Sequence, residues 1–210
     1  MDLLVHGKST ILNLINRNFD LVSGDLNIYG KNIKEYSFSF LKDSIISISQ
    51  IPEFFEGTIY ENVSLYKNIS ITDFSYAAKL SLSSDFINKL PDKELSKVKL
   101  NASNFSGGQK QRLALARIFT RKPKILLLDD VTSAVDITTE KNILKNIKDF
   151  SKSNNITTII TSQKISSLSI CDNIIVLDNG NIEAIGNHDF LINNSIIYKK
   201  IYDIQNTKEV

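Results

Sequence analysis

Asn104-Phe105-Ser106-Gly107-Gly108-Gln109-Lys110-Gln111-Arg112 runs straight into the apolar-periodic segment from Leu113 to Phe119. Two adjacent glycines expose backbone N–H groups, and the helix that follows aims its positive end at whatever lies in front. The stretch therefore reads as an anion site, with the Ser106 hydroxyl and the Gln109 amide as further polar groups. It brings no lysine to grip a polyphosphate, so a second element has to supply one.

That element stands at the start of the chain, where Gly7-Lys8-Ser9-Thr10 precedes the helical pattern Ile11, Leu12, Leu14, Ile15. A third is Ile125-Leu126-Leu127-Leu128-Asp129-Asp130, a short apolar run of the kind that makes a buried parallel strand, ending in carboxylates. Alone, each has a bland reading: a chance tetrapeptide, a turn, a core strand. Their order, with Gln50 between and Ser133-Ala134-Val135-Asp136 after, carries the argument.

In these motifs the chain resembles the nucleotide-binding domain of ATP-binding-cassette (ABC) transporters, most closely the exporter type, over essentially its whole length. Ser106 to Gln109 matches the signature motif and Gly7 to Thr10 the end of the Walker A loop. Leu126 to Asp129 matches the Walker B strand, Gln50 the Q-loop and Ser133 to Asp136 the D-loop. The resemblance implies an α/β P-loop nucleoside triphosphate hydrolase core, 1–57 and 112–210, with a helical subdomain inserted at 58–111. It implies ATP and Mg²⁺ as ligands. Gly7, Lys8, Ser9 and Thr10 would hold the phosphates, and Ser9, Gln50 and Asp129 the metal. Ser106, Gly107, Gly108, Gln109 and Asp136 would face a nucleotide held by a second domain. Asp130, Gln163 and Gln50 would be the catalytic groups.

The signature motif sits on the far lobe from its own Lys8, so two such domains must pair head to tail. Efficient sites of the family carry Glu where this chain has Asp130 and His where it has Gln163. An aspartate is one methylene shorter, and a displacement on the order of 1 Å costs ~100-fold in rate. Glutamine cannot carry the positive charge open to histidine. The pattern resembles the weak-site subunit of a heterodimeric exporter, lending an intact signature motif to its partner. His188 is expected to be a helix-capping surface residue instead. The run Ser96-Lys97-Val98-Lys99-Leu100-Asn101-Ala102 departs from the exporter pattern that contacts the transmembrane domains.

The start of the chain departs further. Asp2 and Val5 stand where a phosphate loop has glycines, and the feeding strand, the N-terminal antiparallel strands and the adenine-stacking aromatic are missing. Read from the last base of the start codon, Met1 to His6 begin with a forced glycine and are compatible with the family's loop. The expectation is a frame change here, with the strand and about six membrane helices of about twenty residues encoded upstream. The rival readings are a non-functional remnant of a longer exporter subunit and a separately encoded importer ATPase.

Composition excludes other classes. The chain has 210 residues, 25 Lys+Arg against 23 Asp+Glu, and a net charge of +2. No basic run with interleaved aromatics points to nucleic acid. A lone Cys171 excludes an internal disulfide, fits a reducing cytosol and reads as a small buried hydrophobe. No apolar stretch approaches the length of a membrane span or of a signal sequence. The expected location is the cytoplasmic side of a membrane through partner subunits, with the chain soluble if alone.

Along the chain, strands are expected near Leu26–Tyr29, Ser44–Ser49, Ile125–Asp129, Ile156–Thr161, Asn173–Leu177 and Asn181–Ile185. Thr58 to Lys89 should be helical and Pro91 to Asn104 a polar loop. Two short helices should close the chain.

Overall fold

A computed structural model describes residues 7–207; the readings that fall on Asp2 and Val5 lie outside them. In chain order the elements are α1 (Lys8–Ile15), β1 (Asn27–Ile28), β2 (Lys31–Asn32), α2 (Phe38–Ser44), β3 (Ile45–Ile48), β4 (Gly57–Thr58), α3 (Ile59–Ser64), α4 (Ile71–Leu80) and α5 (Ser84–Ile87). There follow β5 (Lys97–Val98), α6 (Gly107–Phe119), β6 (Ile125–Asp129), α7 (Ile137–Ser153), β7 (Thr157–Thr161), α8 (Ile165–Leu168), β8 (Ile174–Asp178), β9 (Asn181–Gly186), α9 (His188–Asn194) and α10 (Ile196–Asn206). Two compact units result. One takes the residues up to Leu41 with those from Ile160 on, and the other is Lys42–Ile159, which contains the whole stretch 58–111.

The core of the second unit is the parallel pair β3 and β6, in register from Ile45 opposite Ile125 to Ile48 opposite Leu128. Leu126, Leu127 and Leu128 are fully buried, which is why the run shows no polar alternation. β7 completes this sheet in the order β3-β6-β7. α6 buries Leu113, Ala114, Leu115, Ala116 and Ile118 completely, and α3 and α4 pack on it. Lys122 and Pro123 end it after Thr120, since proline cannot continue a helix. α7, for which no element was expected, turns Ile143, Leu144, Ile147 and Phe150 inward at helical spacing.

The stretch 91–104 is more ordered than a polar loop. Val98, 2% exposed between exposed Lys97 and Lys99, pairs as β5 with β4, and single 3-10 turns stand at Lys93–Leu95 and Leu100–Ala102. The expected strand at Leu26–Tyr29 narrows to β1. Its hairpin with β2 turns through Tyr29 and Gly30, both in the left-handed region.

In the first unit, β8 and β9 form an antiparallel hairpin whose two-residue turn, Asn179-Gly180, has φ of 46° and 78°. Asn-Gly is the dipeptide that tolerates both left-handed positions of such a turn. Ile165, Ile174, Val176, Leu191 and Tyr198 form the core behind it, and Cys171 packs against them partly buried.

Two helix starts in the second unit are held by carboxylates. Glu61 accepts the Thr58 N–H at 2.7 Å and its hydroxyl at 3.0 Å, and Asp136 accepts the Thr139 N–H at 2.9 Å. These bonds hold both carboxyls below their ordinary range: Glu61 through the N–H and then the hydroxyl of Thr58, Asp136 through the hydroxyl and then the N–H of Thr139. A group with a depressed native pKa contributes stability above its unfolded value and loses it as the pH falls. Thermal midpoints are therefore expected to drop between about pH 5 and pH 3. The double variant Glu61→Gln, Asp136→Asn should show a shallower drop, and equal slopes for the two proteins would refute the assignment.

Candidate functional site

β3 and β6 run parallel and adjacent, so the residues just past their C-terminal ends come together where open α/β sheets bind ligands. Asp129 is the last residue of β6 and Asp130 the next; Gln50 lies two residues past β3. Gln50 Nε2 donates to Asp130 Oδ2 at 3.0 Å, across 80 residues of sequence. Asp130 has φ of 47°, a left-handed conformation that aspartate tolerates better than most side chains. Gln50 is exposed: the Ser49 hydroxyl bonds the Ile51 carbonyl at 2.8 Å and Pro52 follows, so no regular element continues past it.

Among the described residues no group of three or more His, Cys, Asp or Glu is placed to hold a metal. The Asp129 carboxylate and the Gln50 amide oxygen are hard oxygen donors of the kind Mg²⁺ takes, one or two from protein with water and phosphate completing its shell.

Ser106 is the N-cap of α6 in extended conformation. Its hydroxyl accepts the Gln109 N–H at 3.4 Å, while Gln109 Oε1 accepts the Ser106 N–H at 2.9 Å, a reciprocal capping box. The two polar side chains expected to face an anion thus satisfy the helix's own start. The amides of Gly107 and Gly108 have no intrahelical partner at these positions, as at the first turn of any helix. Gly108 is also required sterically, since a Cβ there would stand 2.9 Å from the Ala134 carbonyl oxygen.

Sequence reasoning gave Gln111 no role. It is 5% exposed, donates from Nε2 to Ser133 Oγ at 3.0 Å and accepts the Ala134 N–H on Oε1 at 2.9 Å. Asp136, at the end of the same loop, spends a carboxylate oxygen on capping α7.

The remaining candidates belong to the first unit. Gly7 is the N-cap of α1 with φ of 80°, a conformation that favours glycine, and Ile11 N–H bonds its carbonyl at 3.1 Å. Lys8 is half-buried and Ser9 and Thr10 are exposed on the first turn, which carries no acidic residue. Gln163 is exposed after β7. Its backbone carbonyl accepts Gln205 Nε2 at 2.7 Å, and Gln205 Oε1 accepts the Ile165 N–H at 2.9 Å, so α10 fixes this loop. His188 is not a cap. Asn187 caps α9 through the Phe190 N–H at 2.8 Å, while His188 Nδ1 bonds the Tyr198 hydroxyl at 2.9 Å and its ring packs edge-on to Tyr198 and Tyr202. An aromatic ring is better satisfied by that packing than by a helix terminus.

Comparison with known proteins gives the family. The ABC transporter family matches residues 6–133. Over 204 residues the chain is 39% identical to ABC transporter B family member 24, mitochondrial, of Arabidopsis thaliana, covering 96% of this chain and 30% of that protein. Over 201 residues it is 38% identical to a protein of Staphylococcus aureus named as a multidrug export ATP-binding/permease protein, covering 95% of this chain and 34% of that one. A bacterial Atm1-family ABC exporter solved with ATP bound superposes with a TM-score of 0.88 at 32% identity, over 95% of this chain and 35% of that chain. The chain therefore spans about a third of the length of these relatives. No helix among the described residues is long and apolar enough to cross a membrane. With its parallel β3 and β6, its glycine-led α6 and the match over residues 6–133, the chain belongs to the ABC transporter family, as an ATP-binding domain with that family's α/β fold.

Proposed function

We propose that this domain binds ATP with Mg²⁺ and powers export across a membrane, paired head to tail with a second ABC domain and joined to transmembrane partner segments on the cytoplasmic side. The observation that carries the reading is the meeting of Gln50 and Asp130 at the C-terminal ends of adjacent parallel strands. The relatives named for export support the direction of transport.

In this reading 58–111 is a helical subdomain between the two parts, 1–57 and 112–210, of a RecA-like core. Gly7, Lys8, Ser9 and Thr10 hold the phosphates, with the lysine as a point charge on the terminal pair. Ser9, Gln50 and Asp129 hold Mg²⁺, which when bound neutralises charge on the phosphate oxygens. Ser106, Gly107, Gly108, Gln109 and Asp136 close over the nucleotide held by the partner domain. Asp130 orients the attacking water and accepts its proton, with Gln50 fixing one carboxylate oxygen. Gln163 faces the γ-phosphate as a hydrogen-bonding group without charge. The short Asp130 and the uncharged Gln163 make this a weak site, and a heterodimer with a stronger partner follows.

Photolabelling tests the assignment directly. The protein is expected to be labelled by an azido-ATP in a Mg²⁺-dependent way, with the label competed off by ATP and not by AMP. Labelling that ignores Mg²⁺ and is competed equally by AMP would sink the proposal.

A further inference from the structure

Gln111 lies one turn into α6 and commits both ends of its amide to the loop after β6, through Ser133 Oγ at 3.0 Å and the Ala134 N–H at 2.9 Å. An amide presents donor and acceptor in one plane, so such a grip fixes the loop's distance and its rotation together. The glycine turn adds a steric constraint on the same face: a Cβ on Gly108 would meet the Ala134 oxygen at 2.9 Å, and one on Gly107 the Ala134 Cβ at 3.5 Å. Ala134 therefore packs close against both glycines, its carbonyl against Gly108 and its Cβ against Gly107. On either side of the loop the chain is pinned again. Thr132 donates its hydroxyl to buried Glu140 at 2.9 Å, and Asp136 caps α7. The Gln111 grip is the tie that leads from this pinned loop back to the start of α6.

We propose that Gln111 is a positioning residue that makes the first turns of α6 and the loop Ser133–Asp136 one mechanical body, so that charge drawn onto the Gly107 and Gly108 amides carries the loop with it. The inference rests on reading Ser106–Gln109 as the phosphate-facing element of an ABC domain. Gln111 itself touches neither phosphate nor water-activating groups, and its effect runs through Ser133 and Ala134. Removing it should therefore lower kcat and leave KM almost unchanged, since the ground-state contacts of Lys8 and its loop are untouched.

Gln111→Leu keeps the side-chain volume and removes both bonds; Gly108→Ala keeps Gln111 and pushes the Ala134 carbonyl away. Hydrogen exchange on the 210-residue chain reads the tie without any nucleotide. In both variants the Ala134 amide should exchange ~10-fold faster, while the amides of Leu126 to Leu128 in β6 keep wild-type rates. Unchanged exchange at Ala134, or an equal acceleration in β6, overturns the proposal. In the assembled transporter, Gln111→Leu should lower kcat by ~10- to 100-fold, the scale of a misplacement of about 1 Å, with KM within about threefold of wild type. A raised KM with unchanged kcat also overturns it. A wild-type assembly that hydrolyses no ATP would refute the functional reading alone, because the exchange arm decides the Gln111 tie by itself.

Discussion

Ser106→Arg is expected to remove most ATP turnover from the assembled pair, by ~100-fold or more, and to cost at least ~10-fold more than Asp130→Ala. On the proposed reading, the N-terminal end of α6, which opens on Gly107 and Gly108, offers its first backbone amides to the partner's nucleotide. An arginine at the N-cap replaces the hydroxyl that accepts the Gln109 N–H and projects a long side chain into the space where the partner's nucleotide must sit. Loss of the cap alone costs about 1 kcal/mol of helix stability, far too little to account for the loss of turnover. On the proposed reading Asp130 is different: one of its oxygens takes the Gln50 amide, and a carboxylate one methylene shorter than glutamate falls short of the attacking water. Its removal would then subtract from a weak site beside a stronger partner. ATPase assays of the two variants in the membrane-embedded pair decide between the readings, and a larger loss with Asp130→Ala would mean that this chain carries the working site.

Much of the fold was legible because its decisive elements are locally determined. The four-residue apolar run before Asp129 can hide both faces only inside a parallel sheet, and β6 is that strand. Asp178-Asn179-Gly180 has the spacing of a tight hairpin turn, and β8 and β9 flank it. The signals that failed depend on partners remote in sequence. β5 exists because Gly57 and Thr58 pair with Val98 and Lys97, and a two-residue strand leaves no periodicity to read. His188 sits next to the true cap, Asn187, and its role is set by Tyr198 on another helix.

The candidate site divides the same way. Glycine at position 7 was expected at the end of a phosphate loop, and the structure gives it a left-handed φ that favours glycine. Gln50 was readable as a loop residue, while its bond to Asp130 required the parallel register of β3 and β6. Gln111 looked like one more polar residue after a glycine pair. Its burial arises only when Ser133 and Ala134 fold against it, and no local pattern announces that.

Arg117→Ala is expected to destabilise the protein by about 3 kcal/mol and lower its thermal midpoint by about 10 °C, at about 2–4 °C per kcal/mol for a chain of this size. The Arg117 guanidinium donates from Nε to the Asn62 carbonyl at 3.0 Å and from a terminal nitrogen to the Glu53 carbonyl at 2.9 Å, and stacks 4.6 Å from the centre of the Phe54 ring. Burial first, and the like charge of Arg121 second, pull its pKa down to about 10, so it stays charged at neutral pH and its bonds are charge-assisted. Asn62, fully buried, extends the network. Its Oδ1 accepts the Phe55 N–H at 3.2 Å, and its Nδ2 donates to the carbonyls of Phe55 and Thr58, each at 3.0 Å. Together the two side chains hold segment 53–58, which starts three residues past Gln50, against α3 and α6. Truncating Arg117 strands the buried Asn62 carbonyl and weakens the hold on Glu53, which is nearer to water. Arg117→Lys should recover less than half of the loss, because an ammonium cannot span two carbonyls or stack flat on Phe54. Asn62→Ala combined with Arg117→Ala should cost less than the sum of the singles by about 1 kcal/mol, since both break one network. Chemical unfolding of wild type and the four variants measures all of this, and a lysine variant as stable as wild type would show that the planar fork of Arg117 holds nothing.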